Sequence, residues 1–256
     1  MAFYDLHKAD RDILVLQING NIERDIRQHA VAGLLPYFSD TDTYIRKTAY
    51  LAIGRIYLAF PDLQSQIIYA LENLFTHADP KVRQTVVNAG GEIGKTDFSV
   101  VRHFFDTGLL DEHHSVRNAV IGSMKKMGEK NPLPVLAWSK LYLHHPDKEI
   151  RRDICHGIEL RGRTHPQDIL PLLRELQFDK TKRVRWTLVH VIGQIAYKKG
   201  CLEKVMVDIT TWENKELVAD AIEEIIDVHH RYRNFSFYSQ DEARHIVLTF
   251  QSLPQG

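Results

Sequence analysis

Apolar residues recur three and four positions apart along most of this chain, which is the spacing of amphipathic helices. The clearest case is the segment 179–196, where a polar run leads into Val184, Leu188, Val191 and Ile195. No segment of the sequence alternates apolar and polar residues with the period of two that is typical of strands. The pattern therefore predicts an all-α protein.

One helical phrase, a valine or isoleucine followed by arginine and further apolar positions, occurs repeatedly. Its arginines are Arg46, Arg83, Arg117, Arg151 and Arg185, with spacings of 37, 34, 34 and 34 residues. A fixed period in this range indicates a repeat protein in which each unit is a pair of helices. The sequence thus predicts one continuous stack of repeats rather than two independent cores.

Prolines, glycines and short polar runs separate the predicted helices, because such residues start or stop helices. The first helices of the pairs are predicted at 22–38, 62–77, 98–110, 132–144, 166–178 and 201–212. Their partners are predicted at 43–58, 80–95, 113–129, 148–162, 181–199 and 214–232. The sixth partner lacks the arginine, since Ala219 stands 34 residues after Arg185.

We expect a single domain over residues 1–256, because stacked repeats share one continuous core. A short helix ending at Asn19-Gly20 would form an N-terminal cap over residues 1–20, and residues 233–256 would form a C-terminal cap. The six repeats would occupy 22–58, 62–95, 98–129, 132–162, 166–199 and 201–232.

The repeated phrase is similar to that of HEAT repeats, with an aspartate before the Val/Ile-Arg pair and often a glycine eight residues after the arginine, as at Gly54, Gly91 and Gly193. The resemblance covers about residues 22–232 and implies a right-handed α-α superhelix of about six helix pairs with capping helices at both ends. It also implies that the arginines stack between neighbouring repeats as structural groups, and that the second helices line the concave surface.

Charge is balanced overall, with 33 Lys and Arg against 33 Asp and Glu, so the net charge indicates neither nucleic acid nor membrane as a partner. The distribution is uneven. Residues 148–199 carry 12 basic and 6 acidic side chains, whereas residues 200–256 carry 5 and 10. We therefore expect an electrostatic partner surface in the third quarter of the chain.

Other sequence features are typical of a soluble cytoplasmic protein without a cofactor. Cys155 and Cys201 lie far apart in predicted helices, and the charged N-terminus is unlike a signal peptide. No apolar run reaches the roughly 18 residues of a membrane span. Adjacent histidines such as His113-His114 point about 100° apart on a helix, so they do not predict a metal site.

Positions one, five and nine residues after each repeat arginine share one helix face, because they are four residues apart. In the fourth and fifth repeats these positions combine cations, histidines, an aromatic ring and an amide. With nearby basic residues they form our candidate site for a nucleic-acid or protein partner, comprising Arg152, His156, Arg163, Arg183, Trp186, His190, Gln194 and Lys198. In the alternative interpretation, Trp186 covers a neighbouring helix, and the histidines and cations are ordinary solvated surface.

Residues 144–212 resemble the bacterial DNA alkylation repair proteins, which are built of HEAT-like repeats. The shared features are an Arg-Arg pair after His-Pro, a glycine followed by an arginine-containing turn, and a Val-Arg helix ending in Ile-Ala, here Arg151-Arg152, Gly157, Val184-Arg185 and Ile195-Ala196. The resemblance implies excision of alkylated purines from DNA.

The chain differs from that family where the family carries carboxylates, since His156 and Gln194 stand there. A glycosylase must stabilise an oxocarbenium-like sugar, for which a carboxylate beside an aromatic wall is the expected chemistry. In this alternative, Trp186 would act with Glu159 or Asp153. The first hypothesis is instead a non-catalytic protein that binds DNA or another protein on the concave face of repeats four and five.

Overall fold

The computed structural model describes residues 3–252, and these residues form α-helices, two short 3₁₀ turns and loops without a β-strand. The chain divides into two compact units, Met1–Asn131 and Pro132–Gly256. The first unit contains α1 Lys8–Arg27, α2 Val31–Ser39, α3 Thr43–Ala59, α4 Gln64–Phe75, α5 Pro80–Gly94, α6 Arg102–Gly108 and α7 His114–Lys130. The second unit contains α8 Pro132–Tyr142, α9 Lys148–Gly157, α10 Glu159–Gly162, α11 Pro166–Arg174, α12 Lys182–Gln194, α13 Leu202–Ile209, α14 Lys215–Arg231 and α15 Gln240–Ser252.

First and second helices of successive pairs follow one another along the chain as the repeat pattern predicts, so the all-α helical-repeat fold is confirmed. In the first unit α3 packs on α5 and α5 packs on α7; in the second unit α9 packs on α12 and α12 packs on α14. These are the second helices of consecutive pairs. The apolar stripe of each second helix is buried, as Val184, Leu188 and Val191 of α12 show.

The predicted break at Asn19-Gly20 is wrong, because α1 continues through it to Arg27. Ile18, Ile22 and Ile26 are all buried, so one apolar stripe runs past the Asn-Gly pair. Burial of each such side chain contributes about 1.5–3 kcal/mol, which exceeds the helix penalty of about 1 kcal/mol for glycine. The chain turns instead after Arg27, where His29 adopts a positive φ of 54°.

The helix predicted at 181–199 is shorter than expected, because α12 ends at Gln194. The N–H of Ile195 bonds back to the carbonyl of Val191, and the residues after it form a turn that ends at Gly200. Gly200 has a φ of +70°, a conformation that side chains other than glycine rarely adopt. A backbone hydrogen bond of 2.9 Å from Phe237 to the carbonyl of Tyr197 holds this turn.

Aspartates cap several second helices and explain why the repeated phrase begins with an acidic residue. The side chains of Asp42, Asp79 and Asp147 each accept a 2.8 Å hydrogen bond from a backbone N–H two residues later. Such a cap satisfies one of the unpaired donors at a helix N-terminus. In α7 the same place is taken by His113, whose Nδ1 accepts from the N–H of Ser115 at 3.3 Å.

The repeated arginines fasten the loops that precede their own helices. Nη1 of Arg83 donates to the carbonyls of His77 and Ala78, and Nη1 of Arg151 donates to those of His145 and Pro146. Arg46 and Arg117 make the same pair of bonds, six and five residues back.

Two of these arginines also bind an aspartate 28 residues ahead, at the start of the next second helix. Nε of Arg83 lies 2.7 Å from Asp111, and Nε of Arg151 lies 2.6 Å from Asp179. Both ion pairs are largely shielded from solvent, because the two aspartate side chains are only 8% and 7% exposed. These contacts give Arg83 and Arg151 a structural role between neighbouring repeats.

Arg151→Ala should lower the free energy of unfolding by about 3 kcal/mol, because it leaves a buried carboxylate without its partner. Arg185→Ala is the matched control, since the partners of Arg185 are 49% and 83% exposed, and its cost should stay below about 1 kcal/mol. Urea unfolding followed by circular dichroism measures both values. Equal costs for the two variants would contradict the structural role.

The Arg151–Asp179 pair should also make stability depend on pH. Burial raises the pKa of Asp179, but hydrogen bonds from Arg151 and Thr181 outweigh burial and hold this pKa below its usual range. The pair therefore stabilises the fold above the unfolded-state pKa of about 3.9, and this contribution is lost as pH falls through the lower folded-state pKa. The stability difference between wild type and Asp179→Asn should be full near neutral pH and shrink in acid. A difference that stays constant down to acid unfolding would be inconsistent with this linkage.

Candidate functional site

Trp186 is a large aromatic residue on the solvent-exposed side of α12. Its neighbours Val184 and Leu188 turn into the core, whereas the Trp186 side chain is 68% exposed. One face of the indole stacks on the imidazole of His190, with ring centroids 5.7 Å apart and an interplanar angle of 7°. The alternative interpretation, in which Trp186 only covers a neighbouring helix, does not fit this exposure.

The two histidines of the predicted site, His156 and His190, contact each other, and His190 also contacts Trp186. The rings of His156 and His190 meet edge to face, with centroids 6.5 Å apart. His156 Nε2 lies 3.1 Å from Glu159, and His190 Nδ1 lies 3.3 Å from Glu224. Each imidazole therefore has a carboxylate partner, and the ring of His190 packs against one face of the indole.

The predicted cations Arg152 and Arg183 are both bound to carboxylates of the same face. Glu149 accepts from Arg152 at 3.1 Å through one oxygen and from Arg183 at 2.9 Å through the other. Arg152 also donates to Asp153 at 2.6 Å. The positive charges of Arg152 and Arg183 are therefore partly balanced by Glu149 and Asp153 within the protein.

Arg163 and Gln194 belong to a polar cluster below the surface. Arg163 Nε donates to Glu159 at 2.9 Å, and Nη2 donates to the side-chain oxygen of Gln194 at 2.9 Å. Gln194 is fully buried and Glu159 is 1% exposed, so neither reaches a surface ligand. The prediction that Gln194 belongs to a partner-binding face is wrong, because its side chain is buried and accepts a hydrogen bond from Arg163.

Lys198 contacts the segment after α14 rather than the row that contains Trp186. Its Nζ lies 4.8 Å from the centroid of the Tyr197 ring and 3.4 Å from the carbonyl oxygen of Phe235. Tyr197 itself stacks on Tyr232, with centroids 5.4 Å apart. The structure thus brings together His156, Trp186 and His190, and places Lys198 among the aromatic residues that hold the C-terminal segment.

A groove of about 460 Å³ runs between α12 and α14 beside Trp186. We call it the Trp186 groove, and it is lined by Lys182, Arg185, Trp186, Val189, Asp220, Glu223, Glu224 and Asp227. Four carboxylates and two cations face it. The groove therefore combines an aromatic wall with an excess of negative charge.

The carboxylates of the groove differ in their partners. Asp220 accepts from Arg185 at 2.8 Å, and Asp227 lies 2.5 Å from Arg231 at the far end. Burial raises the pKa of Glu224, but bonds from His190 and Arg231 outweigh burial and hold this pKa below its usual range. Glu223 is exposed and makes no ion pair with any residue that the structure describes.

Sequence reasoning missed the acidic side of this groove, although the repeat contains the signal for it. Asp220 and Glu224 stand 34 residues after Trp186 and His190, so they continue the same face into the sixth repeat. The arginine that marks the other repeats is absent from this row, where Ala219 stands instead. Close approach of the two helices depends on Gly193, where an added Cβ would lie 2.6 Å from Cγ of Glu224.

Within residues 3–252 no group of three or more His, Cys, Asp or Glu side chains is arranged to hold a metal ion. The helices of the same residues include none with the length and apolar character that crossing a bilayer requires. Cys155 and Cys201 are free and buried. Burial raises the pKa of both thiols, so they are poor nucleophiles at neutral pH.

Trp186→Ala should leave the fold nearly unchanged, because an exposed ring contributes little burial to stability. We expect a change below about 1 kcal/mol in the free energy of unfolding. Trp212 is fully buried and donates to Asp208 at 2.7 Å, so Trp212→Ala should cost about 3–5 kcal/mol. Urea unfolding checks both, and a cost for Trp186→Ala as large as that for Trp212→Ala would show that Trp186 is a core residue.

No family model and no curated protein sequence matches the chain. Solved structures that align with it include an engineered protein, at 13% identity and a TM-score of 0.39, covering 87% of this chain and 96% of that one. Another is the complex of CpcE and CpcF of phycocyanin lyase from Nostoc sp. PCC7120, at 15% identity and a TM-score of 0.36, covering 97% and 92%. A designed armadillo repeat protein in complex with the peptide (KR)4 aligns at 15% identity and a TM-score of 0.28, covering 87% and 96%. At these scores the alignments assign neither a family nor a function.

Proposed function

We propose that this protein is a non-catalytic binding protein whose partner docks on the face formed by α9, α12 and α14. The observation that carries the proposal is Trp186, a large aromatic ring that is 68% exposed and stacks on the ring of His190. Tryptophan is enriched among the residues that dominate binding energy at interfaces. A ring that is packed on a neighbour on one side has less conformational entropy to lose on binding than one without such a contact.

The charges around Trp186 favour a protein over DNA. Binding to DNA depends on cations that are free to replace the counterions of phosphates. Here Arg152 and Arg183 share Glu149, and the groove beside Trp186 has more carboxylates than cations. Phosphates approaching this groove would meet negative charge.

The geometry gives less support to excision of alkylated purines. Of the two acids that could replace the missing carboxylate, Glu159 is 1% exposed and bonded to Arg163, and Asp153 is 4% exposed and bonded to Arg152. An acid that stabilises a sugar cation must face the substrate. Both contacts favour structural roles for these carboxylates.

Selection from a random peptide library tests the proposal without assuming the charge of the partner. We expect enriched peptides that bind the wild type and lose at least tenfold in affinity to Trp186→Ala, because truncating an interface tryptophan commonly costs more than about 1.4 kcal/mol. Phe178→Ala is a matched control, since Phe178 is an aromatic residue with 59% exposure in the loop after α11.

Peptides that bind Trp186→Ala as well as wild type would overturn the proposal. The DNA alternative is tested in parallel with a short duplex. Affinity for the duplex that falls steeply with salt and is weakened by the Arg152→Ala, Arg183→Ala double variant would replace the protein partner with DNA. Release of a methylated base by excess protein would replace binding with excision.

A further inference from the structure

We infer that the Trp186 groove binds an arginine side chain of a basic, extended segment of a partner protein. The inference rests on the proposed function and adds the chemistry of the partner. It depends on three features of the groove. These are the exposed face of the indole, the carboxylates of α14, and the lack of a cation–ring contact with Trp186 among the described residues.

The indole offers a surface for a planar cation. His190 covers one face of Trp186 at a centroid distance of 5.7 Å, which leaves the opposite face to solvent. A cation within about 6 Å of a tryptophan ring is attracted by the electron density of its face. Because His190 is itself held by Glu224, the ring is pre-positioned for such a contact.

The carboxylates lie where the charged end of that side chain would reach. Asp220, Glu223, Glu224 and Asp227 follow one another along the side of α14 that lines the groove, at the i, i+3, i+4 and i+7 spacing that places residues on one helix face. Glu223 is uncompensated among the described residues, and Asp220 is half exposed although Arg185 binds it. A guanidinium can donate to two such oxygens as a planar fork.

The two cations that line the groove, Lys182 and Arg185, make no cation–ring contact with Trp186 among the described residues. Arg185 is turned toward Asp220 and Glu216 at 2.8 and 3.3 Å, and Arg231 is bound to Glu224 and Asp227. None of the cation-ring contacts found among residues 3–252 involves Trp186. The open face of the ring is therefore available to a cation from outside.

Arginine fits this arrangement better than lysine or a metal ion. The guanidinium is planar, stacks on aromatic rings and is weakly hydrated, whereas an ammonium is a compact and strongly hydrated charge. The carboxylates spread over two turns of one helix and do not converge on a point, consistent with the lack of a metal-type cluster in the described residues. An acidic segment would be repelled by the same groups.

The test measures binding of a short arginine-containing peptide in a glycine-serine background, at physiological ionic strength. A second peptide replaces each arginine with citrulline, which has nearly the same shape but no charge. We expect the arginine peptide to bind at least tenfold more tightly than the citrulline peptide. We expect Trp186→Ala and the Asp220→Asn, Glu223→Gln double variant each to weaken binding of the arginine peptide about tenfold, which corresponds to about 1.4 kcal/mol.

The matched control is the Glu213→Gln, Asp241→Asn double variant, which removes the same charge from exposed positions of the same unit outside the groove. The affinity of this control variant for the arginine peptide should equal that of the wild type. Equal loss in both double variants would show non-specific attraction and overturn the inference, as would equal affinity for the citrulline peptide. If peptides selected from the random library require Trp186 but carry no arginine, the inference fails while the proposed function stands; if no peptide requires Trp186, both fail.

Discussion

The register between neighbouring second helices is the constraint on which the surface of the second unit depends. Residues 34 positions apart touch across these helices: Arg183 reaches Glu149, the ring of His190 meets that of His156, and His190 also reaches Glu224. Close helix approach at Gly193 and the fastening of loops by the repeat arginines keep this register. The charge and shape of this surface are therefore set by rows of residues that lie one repeat apart in the sequence.

This register explains why charge along the chain differs from charge on the surface. The segment 148–199 has a surplus of basic residues, and the sequence alone places a basic surface there. In the structure Arg152 and Arg183 pair with Glu149, and Arg185 pairs with Asp220 of α14. The helix α14 also contributes the other acids of the groove beside Trp186. The net charge of a surface in a repeat protein therefore depends on the side chains of all the adjacent helices that form it.

Periodicity was sufficient for the architecture, because the apolar stripes and the acidic helix caps are local features that each repeat carries. It failed where tertiary packing outweighs local preference. At Asn19-Gly20 the buried isoleucines of α1 continue the helix. At Gln194 a side chain that the helical period groups with Trp186 and His190 is buried and bonded to Arg163. The residues next to each of these positions in the sequence do not predict either outcome.

The candidate site was predictable in part. The four-residue spacing grouped Trp186 with His190, and the 34-residue repeat period added His156, as the ring contacts show. The carboxylates that complete the groove come from a repeat without the arginine that marked the others. Ion pairing depends on side-chain direction and on the neighbouring helix, which a single sequence does not specify. Extension of the 34-residue register by one more repeat would have found Asp220 and Glu224.

A structure of the protein with a bound arginine peptide tests the central claim most directly. The account predicts a guanidinium within about 6 Å of the centroid of the Trp186 ring, on the face opposite His190, with its nitrogens hydrogen-bonded to Asp220 or Glu223. A peptide bound on another surface, or one that leaves the open face of Trp186 in solvent, would contradict it.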